Sequence, residues 1–424
     1  MRLKGIVVQL LVLAVTLVAC ELLFRKALFS GWKAVEHLRR PGLYAKQYPD
    51  PAGPIHGQDY WSLYTLLGGE NQPLAEPHPL LGWHGKFNPA TLVPFGEEHA
   101  GDRRPVLLFG DSFSACVEAL CFEEILNADS MFAQAHYLHN FGVGGYGLDQ
   151  IHLLYNEVVG RYDKPFVVLG FMTRDMERAM LQARVSPKPW FTLEADSLVL
   201  HGVPIAAPGR AWYEENKPAI PSYLWRYLRN RLLGDSLYDA AETRAYTDAM
   251  RRLNRTLLLR TLEDIRARGL DHMVLVFEPM YQLREDWRSL FFRELLDSLG
   301  VPHVFTSDIA RADGWLWDYT PWEQPANGHP TDHMNRLVSE TIRCFVLDPT
   351  CAERQRAENQ RMLVYHRAAA VSTTAEHWME HIRGNEGWYR SIEAEAREKG
   401  LPLDSLLWDN ARYMAWKEAN GQRP

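Results

Sequence analysis

The chain has 424 residues, 46% of them hydrophobic and 23% charged, enough apolar material to bury a large core in one big domain or two ordinary ones. Its formal charge of -7 excludes a broad basic surface, and no Lys/Arg stripe interleaved with aromatics stands out, so no nucleic-acid partner is expected.

At the N-terminus Arg2 and Lys4 precede GIVVQLLVLAVTLVACELLF, an apolar run over residues 5–24 that only Gln9 and Glu21 interrupt, with Arg25 and Lys26 after it. About 20 such residues cross a bilayer as a helix. Leu17, Val18, Ala19 and Cys20 are also similar to a bacterial lipoprotein cleavage and lipidation box. Residues 1–26 therefore read as a membrane anchor or a lipoprotein signal ending at Cys20. Lipoproteins usually continue with a small, polar tether, whereas ELLFRKALFSGW follows here, which favours an uncleaved helix. The flanking basic residues are nearly balanced and do not fix the orientation. Either anchor most simply leaves the bulk of the chain outside the cytoplasm, as a single-pass bacterial inner-membrane protein with a periplasmic or other extracytoplasmic domain.

Residues 27–102 are Pro/Gly-rich and aromatic-bearing, as in PHPLLGWHGKFNP, and read as a stalk and packing segment. From residue 103 to 348 the pattern becomes that of an α/β domain. Strands are expected at VLLF (106–109), PFVVLGF (165–171), HMVLVFEP (272–279) and VPHVFTS (301–307), and helices at ACVEALCFEEILNA (115–128) and over residues 243–269. Apolar strands flanked by helices imply a three-layer α/β/α sandwich with a central parallel sheet. Reacting groups then gather beyond the carboxyl ends of strands, at residues 110–112 and 171–175. An insertion at about 180–240 begins with a hairpin over 188–205, its turn at Ala195, Asp196 and Ser197, which either shapes a substrate entrance or decorates the sheet edge. Residues 349–424 read as a small helical tail with Trp378, Trp388 and Trp408 along it.

Of the five cysteines, Cys116, Cys121, Cys344 and Cys351 form an even set beyond the anchor, compatible with one or two disulfides in any of three pairings, or with buried free thiols. No CxxC and no Cys/His cluster at zinc spacing occurs, so no metal is expected. No cofactor is expected either, because NFGVGGYGLDQ (140–150) does not match the dinucleotide fingerprint.

Three stretches carry chemistry. Ser112 follows VLLFGD directly, the layout of a nucleophile turn, although a Ser/Asp helix cap reads the same way. Gly142, Gly144, Gly145 and Gly147 allow close main-chain approach, and such a loop can offer an N–H to an oxyanion. His329, in ANGHPTDHMNRLVSETI (326–342), lies between the last strand and an amphipathic helix, a sensible place for a base that reaches Ser112. His333 four positions on lacks the third ligand a metal would need.

In this order and spacing the stretches resemble the SGNH/GDSL hydrolases, and in particular their bacterial membrane-anchored members, which carry GDSF, N-x-G-x-x-G-Y-G-x-D-Q and a late GHP loop. The resemblance covers roughly residues 105–175 and 270–345. It implies Ser112 as nucleophile and, with its N–H, as oxyanion donor, Gly145 as the oxyanion glycine, and His329 as general base; Arg336, Leu337 and Val338 stand seven to nine residues after it, as in the family. Two positions depart from the pattern. Arg174 in Met172-Thr173-Arg174-Asp175 stands where the family has the oxyanion-hole asparagine, and Asn327 stands where it has the acid that orients the histidine. Arg174 can hold an oxyanion or an anionic substrate, though its bulk and charge make it a poor direct replacement. Asn327 can orient His329 through its amide oxygen, with less stabilisation of the imidazolium than a carboxylate gives. Asp111, Asp175, Asp332 and Asp318 are the acids available in support.

The expected function is that of a serine esterase or O-acyltransferase acting on acyl groups, O-acetyl above all, of cell-envelope or exported polysaccharide, with an acylated glycan or other ester as substrate. The departures and the aromatic-rich segments favour an alternative: a catalytically inactive SGNH-like protein that binds glycan or scaffolds envelope protein partners.

Overall fold

A computed structural model of the chain describes residues 2–48, 55–68, 76–184, 186–205, 210–233, 240–279, 287–314, 319–370, 373–399 and 401–419. Asp318 lies outside the described residues. The chain divides into two compact units, one made of Met1–Trp83 and Met180–Leu253, the other of His84–Ala179 and Asn254–Pro424.

In the first unit helix α1 (Arg2–Leu28) contains the span Gly5–Leu28, long and apolar enough to cross a membrane and with no part of its apolar window buried. Its apolar residues point to all sides, which suits lipid rather than a core that would cover one stripe. Helix α2 (Tyr223–Leu233) packs on the end of α1, and Leu28, Tyr44, Leu63, Ile220 and Tyr223 make a small core there. The hairpin expected in the insertion is present as Trp190–Glu194 against Ser197–His201, antiparallel. Its turn residues Ala195 and Asp196 have φ of 46° and 63°, the left-handed pair that matches the twist of the two strands.

The second unit is built on five parallel strands: β1 (Arg104–Gly110), β2 (His136–Gly142), β3 (Phe166–Met172), β4 (His272–Phe277) and β5 (His303–Phe305). Their order across the sheet is β5-β4-β3-β1-β2. Every residue of β3 is buried, as a strand covered on both faces requires. Alternate side chains of β1 go to opposite layers. Val106 and Leu108 join Phe122, Met334, Val338 and Ile342, the last three from helix α3 (Asp332–Leu347), while Phe109 stacks on Phe141 at 5.2 Å and meets Tyr155 edge-on at 5.6 Å. The result is an α/β sandwich with a parallel sheet in the middle.

Strand β2 does not show as an apolar run in the sequence, because His136, His139 and Asn140 interrupt it. The helix expected over residues 115–128 shrinks to Phe122–Ala128. Cys116 and Glu118 take left-handed φ of 53° and 57°, and a Cys116–Cys121 disulfide closes the loop between them. A second disulfide, Cys344–Cys351, joins α3 to the helix Cys351–Ala370, and Cys20 is a free, exposed thiol. Helices Thr373–Gly384, Glu386–Lys399 and Leu403–Ala419 gather around their own core of Trp378, Met379, Ile382, Leu406, Leu407 and Met414.

Candidate active site

The chain order reverses its direction of growth across the sheet between β1 and β3, and open parallel sheets bind ligands at the carboxyl ends of strands at such a point. Ser112 leaves the end of β1 there. The turn that carries it is held by Asp111, fully buried, whose Oδ1 accepts the Phe113 N–H at 2.9 Å while its carbonyl accepts the Ala115 N–H at 2.9 Å. Ser114 Oγ donates to the Gly170 carbonyl at 3.2 Å, so the turn lies across the end of β3. Only glycine fits beneath it: a Cβ on Gly110 would stand 2.0 Å from Ser114 Oγ, and one on Gly142 would stand 2.5 Å from the Ala115 nitrogen. Ser112 itself is 8% exposed and makes no hydrogen bond through its hydroxyl among the described residues.

The glycine-rich loop after β2 comes to the same place. Val143 donates its N–H to the Gly110 carbonyl at 3.0 Å, and a Cβ built on Gly144 would lie 3.9 Å from the Ser112 Cβ, so the main chain of this loop borders the serine. Gly145, next along, has φ of +83°, a conformation that favours glycine. Asn140 wires the loop to the turn. Its amide donates to the Ser114 carbonyl at 2.8 Å and to Glu123 at 2.7 Å, and its oxygen accepts the Gly142 N–H at 2.8 Å.

The residue that ties the strand ends together is Arg178, which sequence reasoning passed over. Its Nη1 donates to Asp111 Oδ2 at 3.0 Å, to Asp175 Oδ1 at 2.6 Å and to the Tyr146 carbonyl at 3.0 Å. One guanidinium nitrogen thus joins the Ser112 turn, the glycine loop and the helix Asp175–Arg178 that follows β3. Burial works against the charge on Arg178, but Asp175 and then Asp111 outweigh it and hold the group above the ordinary arginine value. Asp175 also accepts the Met172 N–H through Oδ2 at 2.9 Å. Both Asp111 and Asp175 therefore spend their carboxylates on the architecture of the site. Arg174 precedes this helix as its N-cap residue, half-buried.

His329 approaches from the other side. Its ring packs on Phe113, the residue after Ser112, at 5.1 Å between centroids. Burial lowers its pKa below the ordinary histidine value, while the Asp111 carboxylate opposes that shift and Arg178 adds to it. The loop that carries it is laced to the Cys116–Cys121 loop: Gln324 donates to the Val117 carbonyl at 3.1 Å, Asn327 to Glu118 at 2.8 Å, and Asp332 accepts the Leu120 N–H at 2.7 Å.

Neither Asn327 nor Asp332 serves the imidazole. The Asn327 oxygen accepts the main-chain N–H of His329 at 2.9 Å, and its amide nitrogen goes to Glu118 and to Gln324. His329 Nδ1 is buried and has no hydrogen-bond partner among the described residues. His333 instead pairs with Asp313 at 2.5 Å.

No family model matches the chain, and no curated protein matches it. Among solved structures it is similar to Axe2, an acetylxylan esterase from Geobacillus stearothermophilus. One catalytic mutant of that enzyme is 12% identical, with 58% of this chain and 95% of that one covered and a TM-score of 0.32. A second catalytic mutant gives 12% identity and a TM-score of 0.33, and a further mutant, described as an acetyl-xylooligosaccharide esterase, gives 13% identity over 59% of this chain and 96% of that one, with a TM-score of 0.32. A likeness this slight decides nothing about chemistry, which has to come from the residues.

Proposed function

We propose that the chain is a membrane-anchored serine esterase or O-acyltransferase acting on acyl groups, O-acetyl in particular, of cell-envelope or exported polysaccharide. The observation that carries this reading is the convergence on Ser112 of two otherwise separate segments, the Gly144 main chain beside its Cβ and the His329 ring on its neighbour Phe113. In the proposed reaction Ser112 Oγ attacks the ester carbonyl as His329 takes its proton, and the N–H groups of Ser112 and Gly145 receive the oxyanion. The proton then passes to the departing sugar oxygen. Water or a second sugar hydroxyl, deprotonated by the same imidazole, removes the acyl group from Ser112. In this reading Arg174, at the sequence position of the oxyanion-hole asparagine in the SGNH/GDSL hydrolases that the motifs resemble, adds positive charge to the oxyanion or holds an anionic glycan. The polysaccharide substrate is an inference from the membrane anchor and from the family resemblance of the motifs.

That His329 Nδ1 has no partner among the described residues favours a second reading, an SGNH-like module that binds glycan or an envelope partner without turnover. Reaction of the full-length protein with a fluorophosphonate, followed by intact mass, separates the two. Labelling that vanishes in Ser112→Ala and falls at least tenfold in His329→Ala supports the esterase; a folded protein that takes no label supports the binding module.

A further inference from the structure

Glu21 is the one acid in the apolar run of α1, and the structure gives it a task. Its carboxylate accepts the N–H groups of Tyr223 and Leu224 at 3.0 Å each and the Ser222 hydroxyl at 2.7 Å, so it closes the first turn of α2. Arg25, one turn on, donates to the carbonyls of Pro221 at 2.6 Å and Ile220 at 3.1 Å. The start of α2 is thereby fixed to the stretch of α1 between Glu21 and Leu28. An apolar run over residues 5–24 at 1.5 Å per residue fills about 30 Å, the thickness of the hydrocarbon layer, which puts that stretch at its edge. A lipid on Cys20 would put it at the same level.

α2 is two-faced. Tyr223 is buried against α1, and Arg226 and Asn230 on the same side donate to the carbonyls of Tyr44 and Leu43. On the opposite side Trp225, Leu228 and Leu232 are 62%, 39% and 77% exposed. At about 100° per residue these three fall within roughly 60° of one another, with Arg229 and Arg231 on either flank. Phe29 and Trp32, just past α1, are exposed as well, at 40% and 61%. An apolar stripe that includes a tryptophan and is edged by arginines, beside a second exposed tryptophan just past α1, fits the headgroup region of a bilayer containing anionic phospholipid.

We propose that α2 is an interfacial helix, its Trp225, Leu228 and Leu232 stripe seated in the anionic surface of the membrane that α1 enters. This rests on α1 as the anchor, so the test reports on both. Leu228→Cys, Leu232→Cys, Leu13→Cys in α1 and Arg390→Cys in the tail are each made in a Cys20→Ser background and labelled with bimane. The full-length proteins are reconstituted in vesicles of phosphatidylcholine and phosphatidylglycerol with brominated acyl chains. Brominated lipid should quench the labels at 13, 228 and 232 at least twofold and leave that at 390 unchanged, and quenching at 228 and 232 should weaken when phosphatidylglycerol is omitted. Quenching at 13 without quenching at 228 and 232 overturns the proposal and keeps the anchor; no quenching at 13 overturns the anchor. Labels at 228 and 232 shielded from aqueous iodide yet untouched by brominated lipid would mean that a protein covers the stripe, which also overturns it.

Discussion

Replacing Arg178 by methionine tests the central claim about how the site is held. The substitution keeps most of the side-chain volume and removes three hydrogen bonds at once, to Asp111, Asp175 and the Tyr146 carbonyl. Asp111 and Asp175 are both fully buried, so two carboxylates lose their shared cation in a place water does not reach. Leaving a buried charge without its partner costs about 3–5 kcal/mol. We expect Arg178→Met to lose ~4 kcal/mol in urea unfolding followed by circular dichroism. Combining it with Asp111→Asn and Asp175→Asn should recover at least half, because the amides still accept from the Phe113 and Met172 N–H groups and no charge is left stranded. Fluorophosphonate labelling of Ser112 should fall at least tenfold in the single variant, as the turn and the glycine loop lose their common tie. A cost under ~1 kcal/mol, or a triple variant no more stable than the single one, refutes the account.

Asn327→Asp puts an acid at the position where the SGNH/GDSL hydrolases that the motifs resemble have one, yet it should not raise labelling of Ser112, because that side chain bonds the main chain of His329 and would set a second carboxylate against Glu118; a tenfold gain would show that the new acid reaches the ring. Burial brings His329 below the ordinary histidine value, so the neutral base persists on acidification and the labelling rate should drop to half its pH 8 level only below pH 6.5; a half-fall above pH 6.5 contradicts the assignment of the base. Burial also lowers His139 and His152 from 6.5 to about 4. The folded state favours their neutral forms, so their contribution is fully present above pH 6.5 and is lost as the pH falls towards 4. At 1.36 kcal/mol per unit this is at most ~3 kcal/mol each. The urea midpoint should drop between pH 7 and 4.5, and less so in His152→Gln; equal drops would remove His152 from the explanation.

What could be read in the sequence follows from which partners are local. β1, β3 and β4 show as apolar runs because both their faces are covered, and the hairpin shows through its Ala195 and Asp196 turn. β2 hides because Asn140 must be polar to hold the Ser114 carbonyl and the Gly142 N–H. The lost first half of the helix over 115–128 depends on Cys116 pairing with Cys121 rather than with either distant cysteine, a choice that spacing leaves open. Arg178 was invisible for a different reason. Its partner Asp175 lies one turn away, but Asp111 stands 67 residues upstream and meets it only because β1 and β3 are neighbours in the sheet. Glu21 likewise looked like a flaw in an apolar run until α2 arrived from some 200 residues later.

The esterase and the silent binding module rest on the same frame and differ in what His329 can do without a partner at Nδ1 among the described residues. Arg178, Asp111, Asp175 and Asn140 hold the Ser112 turn and the glycine loop without any help from the base, so the frame is intact whichever reading holds. The difference is concentrated at His329 Nδ1. Burial makes the neutral imidazole abundant near pH 7, which is the state a base needs, but no acceptor stands at Nδ1 among the described residues to fix the tautomer or to stabilise the imidazolium once the proton has moved. In a serine protease the loss of that partner by amide substitution lowers turnover by about 10⁴, while the oxyanion donors and substrate binding still leave catalysis well above water. Under the proposed esterase reading, a site without that partner is expected to acylate slowly. Within the proposed reading a slow base disfavours a nucleophile arriving from bulk solvent more than it disfavours a sugar hydroxyl held against the acyl-serine, because positioning supplies part of the barrier that the base does not. Among the described residues His329 Nδ1 has no partner, and within the proposed esterase reading this favours transfer to a glycan acceptor over hydrolysis: acyl-serine formed from an activated ester should turn over faster when an oligosaccharide acceptor is added than in buffer alone.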